Sequence, residues 1–458
     1  MSIGAWRRAL WRLRQPIAAE KKALLARRWA ELPDDLRTDW QILGRQIVHC
    51  GYTLGAAYCS FGCTHCYLPR NANRAPLPSL TEMKEQIDAN ARLVGENGGL
   101  QITGGDVLDA YWRSERPEEL IEILRYANDV GVAPMLMTHG QVLLDHPDYL
   151  DLLVEKGGLR KLAIHVDTTQ AGRPGFPIRG LRREADLDPL RQQFVDLLLA
   201  CRGRTGARVQ AAHTVTVTER NLDSIGDILR WLVGHPDRLR VFRMISFQTE
   251  AAVGRTRSSQ QPVTPEETWA QICRALETEL PRDNLWIGDP RCSSMTTVLF
   301  DFRRRRATNL IGSSTEDRLF WKAVLDTFGG VGSRGLSDLD ANAQRLALAL
   351  RHPSIALRAL VFARTLLRRE RGGPGLALSG ALGRVAPLNV VLHNFMDEQR
   401  VAARTAEVEQ RLAACSFRGA VRRGGGWEAV PMCAMNSLER EAPYARQIER
   451  GGEAASGV

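Results

Sequence analysis

The sequence predicts an α/β fold: consecutive βα units around a parallel sheet, forming a partial (β/α)6 barrel, with helices before it and a mostly helical, basic region after it. Three observations carry this. From Gly51 to about residue 250, short apolar runs alternate with amphipathic stretches of helical period, six times over. Of 458 residues, 44% are hydrophobic and 25% charged, which is ordinary globular usage and excludes a disordered, collagen-like or disulfide-scaffold chain. The chain also exceeds the ~100–200 residues of one compact core, so one large αβ unit with an appended region fits better than many small modules.

Residues 5–45 read as one or two helices, because ALWRL, KKALLARRWAEL and LRTDWQILGRQ set apolar residues three and four apart with Arg and Lys between them. We take 1–48 as an N-terminal helical segment and 49–250 as the αβ core. Its strands are YTLGAAY ending at Tyr58, LQIT at Thr103, VAPMLMT at Thr138, KLAIHVD at Asp167, ARVQAAHTVTV at Val217 and RLRVFRMISF at Phe247. Helices are expected near 80–97, 116–130, 146–157, 187–201 and 221–234. Six units are too few for a closed eight-stranded barrel, but a partial one still gathers its site where the strands' C-terminal ends meet.

Residues 251–458 form the third region. GRTRSSQQPVTP at 254–265 is a loop, followed by a helix at about 265–280 with Thr264 as N-cap and Glu267 in capping-box position. Beyond Cys292 the chain reads as helical and arginine-rich, with glycine-containing breaks at 329–335 and 372–383 and a frayed end, GGEAASGV. There is no internal repeat beyond the βα period and no low-complexity tract.

Net charge is +10, and residues 303–423 alone hold 21 Lys+Arg against 10 Asp+Glu, a balance of +11. That placement suits the phosphates of a nucleic acid or an anionic lipid surface, and equally a solvated helix face. The segment PSIALRALVFARTLLRR, 353–369, either lies at a membrane interface or packs on its own protein, and RRRR at 303–306 is either an anionic-group site or a solvated face. No stretch reaches the ~20 apolar residues of a membrane span, and MSIGAWRRALWRLRQP lacks the apolar run and cleavage site of a signal peptide. We expect a cytoplasmic, unprocessed chain, with surface contact to a membrane as a further option.

Nine cysteines, an odd number thinly spread, read as ligands or buried thiols rather than disulfides. At the end of the first strand stands CSFGCTHCY, with Cys59, Cys63 and Cys66 spaced three residues and then two apart. Three thiolates so close converge on one metal centre if they act together, and three is one short of the four that close a zinc site or an ordinary cubane. A zinc knuckle lacking its partner and three unrelated thiols are the alternatives.

This spacing, on the loop after the first strand of a βα repeat, resembles the radical S-adenosylmethionine (radical SAM) superfamily. The resemblance covers roughly 50–250. It implies a [4Fe-4S] cluster on Cys59, Cys63 and Cys66 whose fourth iron is chelated by the amino and carboxylate groups of SAM. It also puts His65 where that family usually carries an aromatic residue near the adenine. The second strand, LQITGGD, delivers Gly104, Gly105 and Asp106 to the same face. Two glycines expose backbone to a ligand, and a carboxylate accepts hydrogen bonds from an ammonium or hydroxyl group. In the resembled family a GGE motif here binds the amino group of SAM; in this chain the third residue is Asp and Val107 replaces the usual Pro.

His139, His165 with Asp167, His213 and Arg243 sit at or near predicted strand ends, and period-2 alternation points His165 and Asp167 to one face. Each is either a contact for SAM or substrate or a satisfied structural group, and no catalytic residue is assigned. Cys201 in FVDLLLAC and Cys273 in TWAQIC read as core, while Cys50 fits either role. Cys292 in WIGDPRCSS, and Cys415 and Cys433 flanking the hairpin-like CSFRGAVRRGGGWEAVPMC, lie among turn residues and are better placed as ligands.

CSFRGAV and WEAVPMCAMN, with HNFMD at His393 to Asp397, resemble the C-terminal region of radical SAM enzymes similar to archaeal tetraether lipid synthases. In that group additional cysteines hold auxiliary metal centres, and the reaction joins lipid chain ends through carbon–carbon bonds. The resemblance implies an auxiliary iron–sulfur cluster on Cys292, Cys415 and Cys433. Three separate structural thiols are the alternative, and the paired-cysteine N-terminal metal module of a full tetraether synthase is missing.

The expectation is a radical enzyme in which a one-electron donor such as a flavodoxin or ferredoxin reduces the cluster, SAM is cleaved, and the 5′-deoxyadenosyl radical abstracts hydrogen. A lipid-like substrate is the first reading. A peptide or RNA held by the arginine-rich third is the second, and salt-dependent retention of nucleic acid would favour it. A non-catalytic iron–sulfur or zinc protein, which would not bind SAM, is the third.

Overall fold

The computed structural model describes residues 50–437, except 96–97, 176–180, 182, 257–261, 283–287, 329–345, 348–349, 370–375, 377–378, 381–382 and 424. The helical segment expected at 1–48, the glycine-containing break at 329–335 and the end GGEAASGV lie outside the described residues, as do parts of the loop at 254–265 and of the break at 372–383.

Six strands are parallel neighbours in chain order: β1 (Cys50–Ala56), β2 (Gly99–Gly104), β3 (Ala133–Thr138), β4 (Lys161–His165), β5 (Gln210–Val217) and β6 (Phe242–Thr249). The helices Leu80–Val94, Pro117–Val130, Pro147–Glu155, Asp188–Thr205 and Ile225–Val233 alternate with them. Local sequence explains their ends. Ser79 and Glu82 form a capping box at the first, proline at N1 opens the second and third, and Gly131 and Gly206 close helices in the left-handed region.

The helices cover one face of the sheet. Leu136, Leu162, Ile164 and Ile245 from the strands are fully buried against Leu124, Leu153, Phe194 and Leu229 from the helices. Each such side chain contributes about 1.5–3 kcal/mol by leaving water. The opposite face carries a separate cluster of Met135, Ala163 and Ala212 with Met244 beside it, and polar residues stand above that cluster toward the strands' C-terminal ends. The helices Val107–Arg113, Gln141–Asp145 and Pro236–Val241 were not expected, being too short to leave a readable apolar period.

The third region departs from the sequence reading. The expectation that the chain turns helical beyond Cys292 is corrected, because β7 (Ser293–Asp301) begins at the next residue and β8 (Arg306–Asn309), β9 (Val385–Asn394), β10 (Phe417–Arg423) and β11 (Gly426–Pro431) follow. All join one sheet of order β11-β10-β1-β2-β3-β4-β5-β6-β9-β7-β8. β9 lies parallel to β6, β7 antiparallel to β9, and β10 parallel to β1, with β10 and β11 forming the hairpin that CSFRGAVRRGGGWEAVPMC suggests. The place of β9 beside β6 and of β7 beside β9 escapes a local reading because those partners are far away in sequence, Ser293 facing His393 and Met244 facing Asn389.

Helices Thr315–Phe328 and Pro353–Arg369 are also present, with Phe320 stacked on Phe362 at 4.4 Å. The helix after β6 is Pro265–Leu276, with the expected Thr264 cap and Glu267 capping box, and it ends early because Glu277 turns into the left-handed region at φ 48°. No described helix is long and apolar enough to cross a membrane.

Candidate active site

The three cysteines of CSFGCTHCY lie on the loop that leaves β1 at its C-terminal end, each half-buried. The loop is held along its length. Asn73 exchanges hydrogen bonds with the backbone of Cys59, its Nδ2 donating to the carbonyl at 3.0 Å. The Ser60 N–H donates to Asp109 at 2.8 Å. Gly62 and Thr64 donate their N–H groups to the carbonyls of Ala171 and Thr169, so the middle of the loop pairs with the chain beyond β4. The carbonyl of Cys66 accepts from Arg255 N at 2.8 Å, tying the loop's end to the chain beyond β6. Tyr67 is half-buried and donates its hydroxyl to Gly104 O at 2.5 Å.

Gly104 and Gly105 serve a close approach of the chain to itself. A Cβ on Gly104 would sit 2.0 Å from Ala56 O, and one on Gly105 2.0 Å from Tyr58 O; Gly104 also has φ 118°. Their absence lets Gly105 N–H reach Ala56 O at 2.6 Å and Asp106 N–H reach Tyr58 O at 2.8 Å. Asp106 is buried, and its oxygens are committed within the chain: Oδ1 caps the helix Val107–Arg113 through Asp109 N–H, and Oδ2 accepts from Thr138 Oγ1 at 2.7 Å and His139 N–H at 2.6 Å. Through these bonds the carboxylate fixes the ends of β2 and β3 relative to each other.

Without a cation the thiols resist ionisation. Burial, joined by the charge of Asp106, pushes Cys59 up; burial and the neighbouring Cys66 push Cys63 up to about 12; burial likewise raises Cys66. A bound cation inverts this balance and holds thiolates outright. Three thiols on one tethered loop could therefore serve as the donor set of a metal centre. The chemistry of three soft sulfur donors with one position left over fits a [4Fe-4S] cluster that keeps one iron open.

A second arrangement was not legible in the sequence. Donor atoms of Cys59, Asp109 and His139 all lie within 4.8 Å of one another, spacing suited to a single ion. His139 Nδ1 accepts from Gln141 N–H, which leaves Nε2 facing the carboxylates of Asp106 at 3.3 Å and Asp109 at 3.7 Å. Its ring stacks on Phe61 at 3.7 Å, and Arg173 lies over the other side of the pair's environment, 5.0 Å from the Phe61 ring, donating to His139 O. The sequence signal for Asp109 is only its position one turn after the GGD stretch.

His65 is anchored by Thr64 Oγ1 at 2.9 Å and by the carboxylate of Glu250 at 2.7 Å. Glu250, the first residue past β6, is a site residue the sequence reading missed. His165 and Asp167 do face each other, at 2.5 Å. Burial opposes ionisation of both, but their mutual attraction wins, raising His165 and, with hydrogen bonds from Thr169 and Thr216, lowering Asp167 to about 2.

For two residues the structural alternative holds. His213 lies mid-strand and turns to the helix layer, where buried Arg191 donates to its Nε2 at 3.0 Å, so it does not face the site. Arg243 is the second residue of β6 and sits at the opposite end of that strand. In their place, in-register rows His165, Thr214, Ser246 and Thr216, Gln248, His393 cross the uncovered face near the strands' C-terminal ends. Their signal in the sequence is polar residues at period two, which the run RMISF masks. Cys50 and Cys201 are buried, and Cys273 packs partly buried against the main core.

Cys292, Cys415 and Cys433 come from three separate elements and approach one another. Cys292 precedes β7, Cys415 precedes β10, and Cys433 lies in the short helix Met432–Asn436 after β11. Burial comes first in raising Cys292 and in pushing Cys433 up to about 12, and the neighbouring sulfurs add to it: Cys433 and Cys415 act on Cys292, and Cys415 on Cys433. Arg411 Nε donates to Cys292 Sγ at 3.3 Å, and Cys415 Sγ donates to Phe417 O at 3.0 Å.

The parallel strands thus set a tethered three-cysteine loop at the C-terminal end of β1. Residues 55–232 match the model of the radical SAM superfamily. Residues 55–232 thus carry a radical SAM domain. The matched span ends before Cys292, Cys415 and Cys433. No curated protein matches the chain. A solved structure described as native anSMEcpe with bound AdoMet is similar over 50% of this chain and 58% of its own, at 11% identity and a TM-score of 0.34. The chain therefore spans less than two thirds of that structure's length.

Proposed function

We propose that Cys59, Cys63 and Cys66 hold a [4Fe-4S] cluster, that SAM binds its open iron, and that the enzyme abstracts hydrogen from a lipid-like substrate. When bound, cluster and SAM supply one-electron cleavage to methionine and a 5′-deoxyadenosyl radical, which takes a hydrogen atom from an unactivated C–H bond. The observation that carries the reading is the tethering of one three-thiol loop to β2, to the chain beyond β4 and to the chain beyond β6. The chain's own part is positional. Gly104 and Gly105 seat the loop against β2, Asp106 locks β2 to β3, Glu250 orients His65, and the row from His165 to Ser246 faces the open side of the sheet above the site. The six parallel strands and this polar face make a partial (β/α)6 barrel the natural description. Single Cys→Ala changes at 59, 63 or 66 are expected to abolish 5′-deoxyadenosine formation; a variant that still forms it would remove that residue from the ligand set.

Three half-buried cysteines brought near one another from three elements support an auxiliary iron–sulfur centre on Cys292, Cys415 and Cys433. A lipid-like substrate is favoured by the outer face of the third region. Leu357, Leu360 and Val361 on the helix Pro353–Arg369, and Leu346 and Leu350 ahead of it, are 58–74% exposed, and Arg358, Arg364 and Arg368 are exposed along the helix. Such a basic amphipathic face suits an anionic lipid surface. Flotation with vesicles containing phosphatidylglycerol, but not with pure phosphatidylcholine, is the expected result; equal recovery without vesicles would count against it.

A second reading follows from the grouping of Cys59, Asp109 and His139, whose spacing suits one zinc ion. Metal analysis separates the two: zinc with no iron or sulfide after anaerobic isolation would favour it.

A further inference from the structure

We infer that Arg411 is the built-in counter-charge of the auxiliary centre, a positioning residue that neutralises an anionic iron–sulfur group on Cys292, Cys415 and Cys433. This rests on the reading of those cysteines given above. The helix Ala406–Ala413, capped by Thr405, carries Arg411 inward until its side chain is 1% exposed. Its guanidinium donates to Cys292 Sγ at 3.3 Å and to Asn394 O at 2.9 Å.

No described carboxylate meets it at hydrogen-bond distance. Glu407 stays 3.8 Å away on a 41% exposed side chain, and the buried Asp289 is taken by Arg291 at 2.6 and 2.9 Å. The contrast is Arg191, the other large arginine that is fully buried, which pairs with the equally buried Glu184 at 2.5 Å. Taking a guanidinium out of water without a partner of opposite charge is strongly unfavourable. At Arg411 the group in direct contact that could supply that charge is the Cys292 sulfur, at 3.3 Å, with the half-exposed Glu407 only at 3.8 Å. Neutral thiols do not, whereas iron-bound thiolates and sulfides, a group of net negative charge, do.

Two consequences follow. Arg411 stabilises the centre, and a cation with an N–H directed at a ligand sulfur raises the centre's reduction potential. The site is thus set for a group that accepts an electron more readily than the same three cysteines would without it.

The test uses the full chain with Cys59→Ala, Cys63→Ala and Cys66→Ala, so that any iron belongs to the auxiliary centre. Iron, sulfide and a potentiometric titration followed by EPR are then compared with and without Arg411→Gln and Arg411→Lys. The expected result is a lower midpoint potential in Arg411→Gln, by at least the 59 mV that a tenfold change represents for one electron, and a smaller change in Arg411→Lys, which keeps the charge. Loss of iron from the Gln variant alone also supports the inference. In the iron-free protein the Gln change is expected to leave the urea midpoint unchanged or higher, since it removes a buried charge that only the half-exposed Glu407 at 3.8 Å offsets at close range. Iron retained at an unchanged potential in both variants would overturn the role of Arg411. Absence of iron in the parent triple variant would instead overturn the auxiliary centre itself.

Discussion

The hydroxyl of Tyr67 donates to the carbonyl of Gly104 at 2.5 Å, joining the last residue of the cysteine loop to the first glycine of the GGD turn. The bond spans elements that are 37 residues apart in sequence, and it fixes the loop's height above the sheet. Tyr67→Phe keeps the ring and removes the bond, so it is expected to lower stability by about 1 kcal/mol, read as a reduced urea midpoint of the iron-free protein. Reconstituted protein should bind iron to the same stoichiometry but lose it faster to a chelator. An unchanged midpoint and chelation rate would show that the bond does not hold the loop.

The glycine pair makes a sharper claim. Gly105→Ala drives a Cβ to 2.0 Å from Tyr58 O, with backbone on both sides of the clash, so the loop must shift. Gly62→Ala, on the same loop, meets nothing within 4 Å. Iron retention after reconstitution should fall severalfold in the first variant and stay at the parent value in the second. Equal retention in both would mean that the close approach at Gly105 does not position the thiols.

The His165 and Asp167 pair gives a pH dependence of stability. His165 is raised above its ordinary value of ~6.5, so its contribution is complete below that pH and is lost as pH rises through the folded value. Asp167 is depressed to about 2, so its contribution is present above its ordinary value of ~3.9 and lost as pH falls through about 2. Stability from the pair is therefore greatest between about pH 4 and 6.5 and declines on the alkaline side. The urea midpoint of the iron-free protein should decline from pH 6.5 to 9 more steeply than that of His165→Gln. Parallel curves for the two proteins would contradict the assignment.

Legibility tracked the range of the interactions involved. The six parallel strands and the helices between them announce themselves through local period, and the caps at Ser79 and Thr264 follow from residues three apart. The cysteine loop was readable because its donors lie within eight residues. β7 and β9 were not, since each is completed by a partner many residues away, and neither was Glu250, whose role exists only because His65 reaches it. Arg411 is the clearest case. In sequence it is one arginine among the 21 basic residues of 303–423, and only the packing of its helix separates it from the solvated ones. His213 is a histidine on a strand whose turn toward Arg191 no local pattern discloses, so the choice between its two readings needed the structure.

The most direct test of the central claim is anaerobic reconstitution with iron and sulfide, followed by dithionite and SAM, with 5′-deoxyadenosine assayed and iron counted per chain. The account predicts deoxyadenosine together with about eight irons, two clusters of four, falling to about four and no deoxyadenosine when Cys59, Cys63 and Cys66 are all changed to Ala. A reconstituted protein that carries its iron but forms no deoxyadenosine, with or without added lipid, would contradict it.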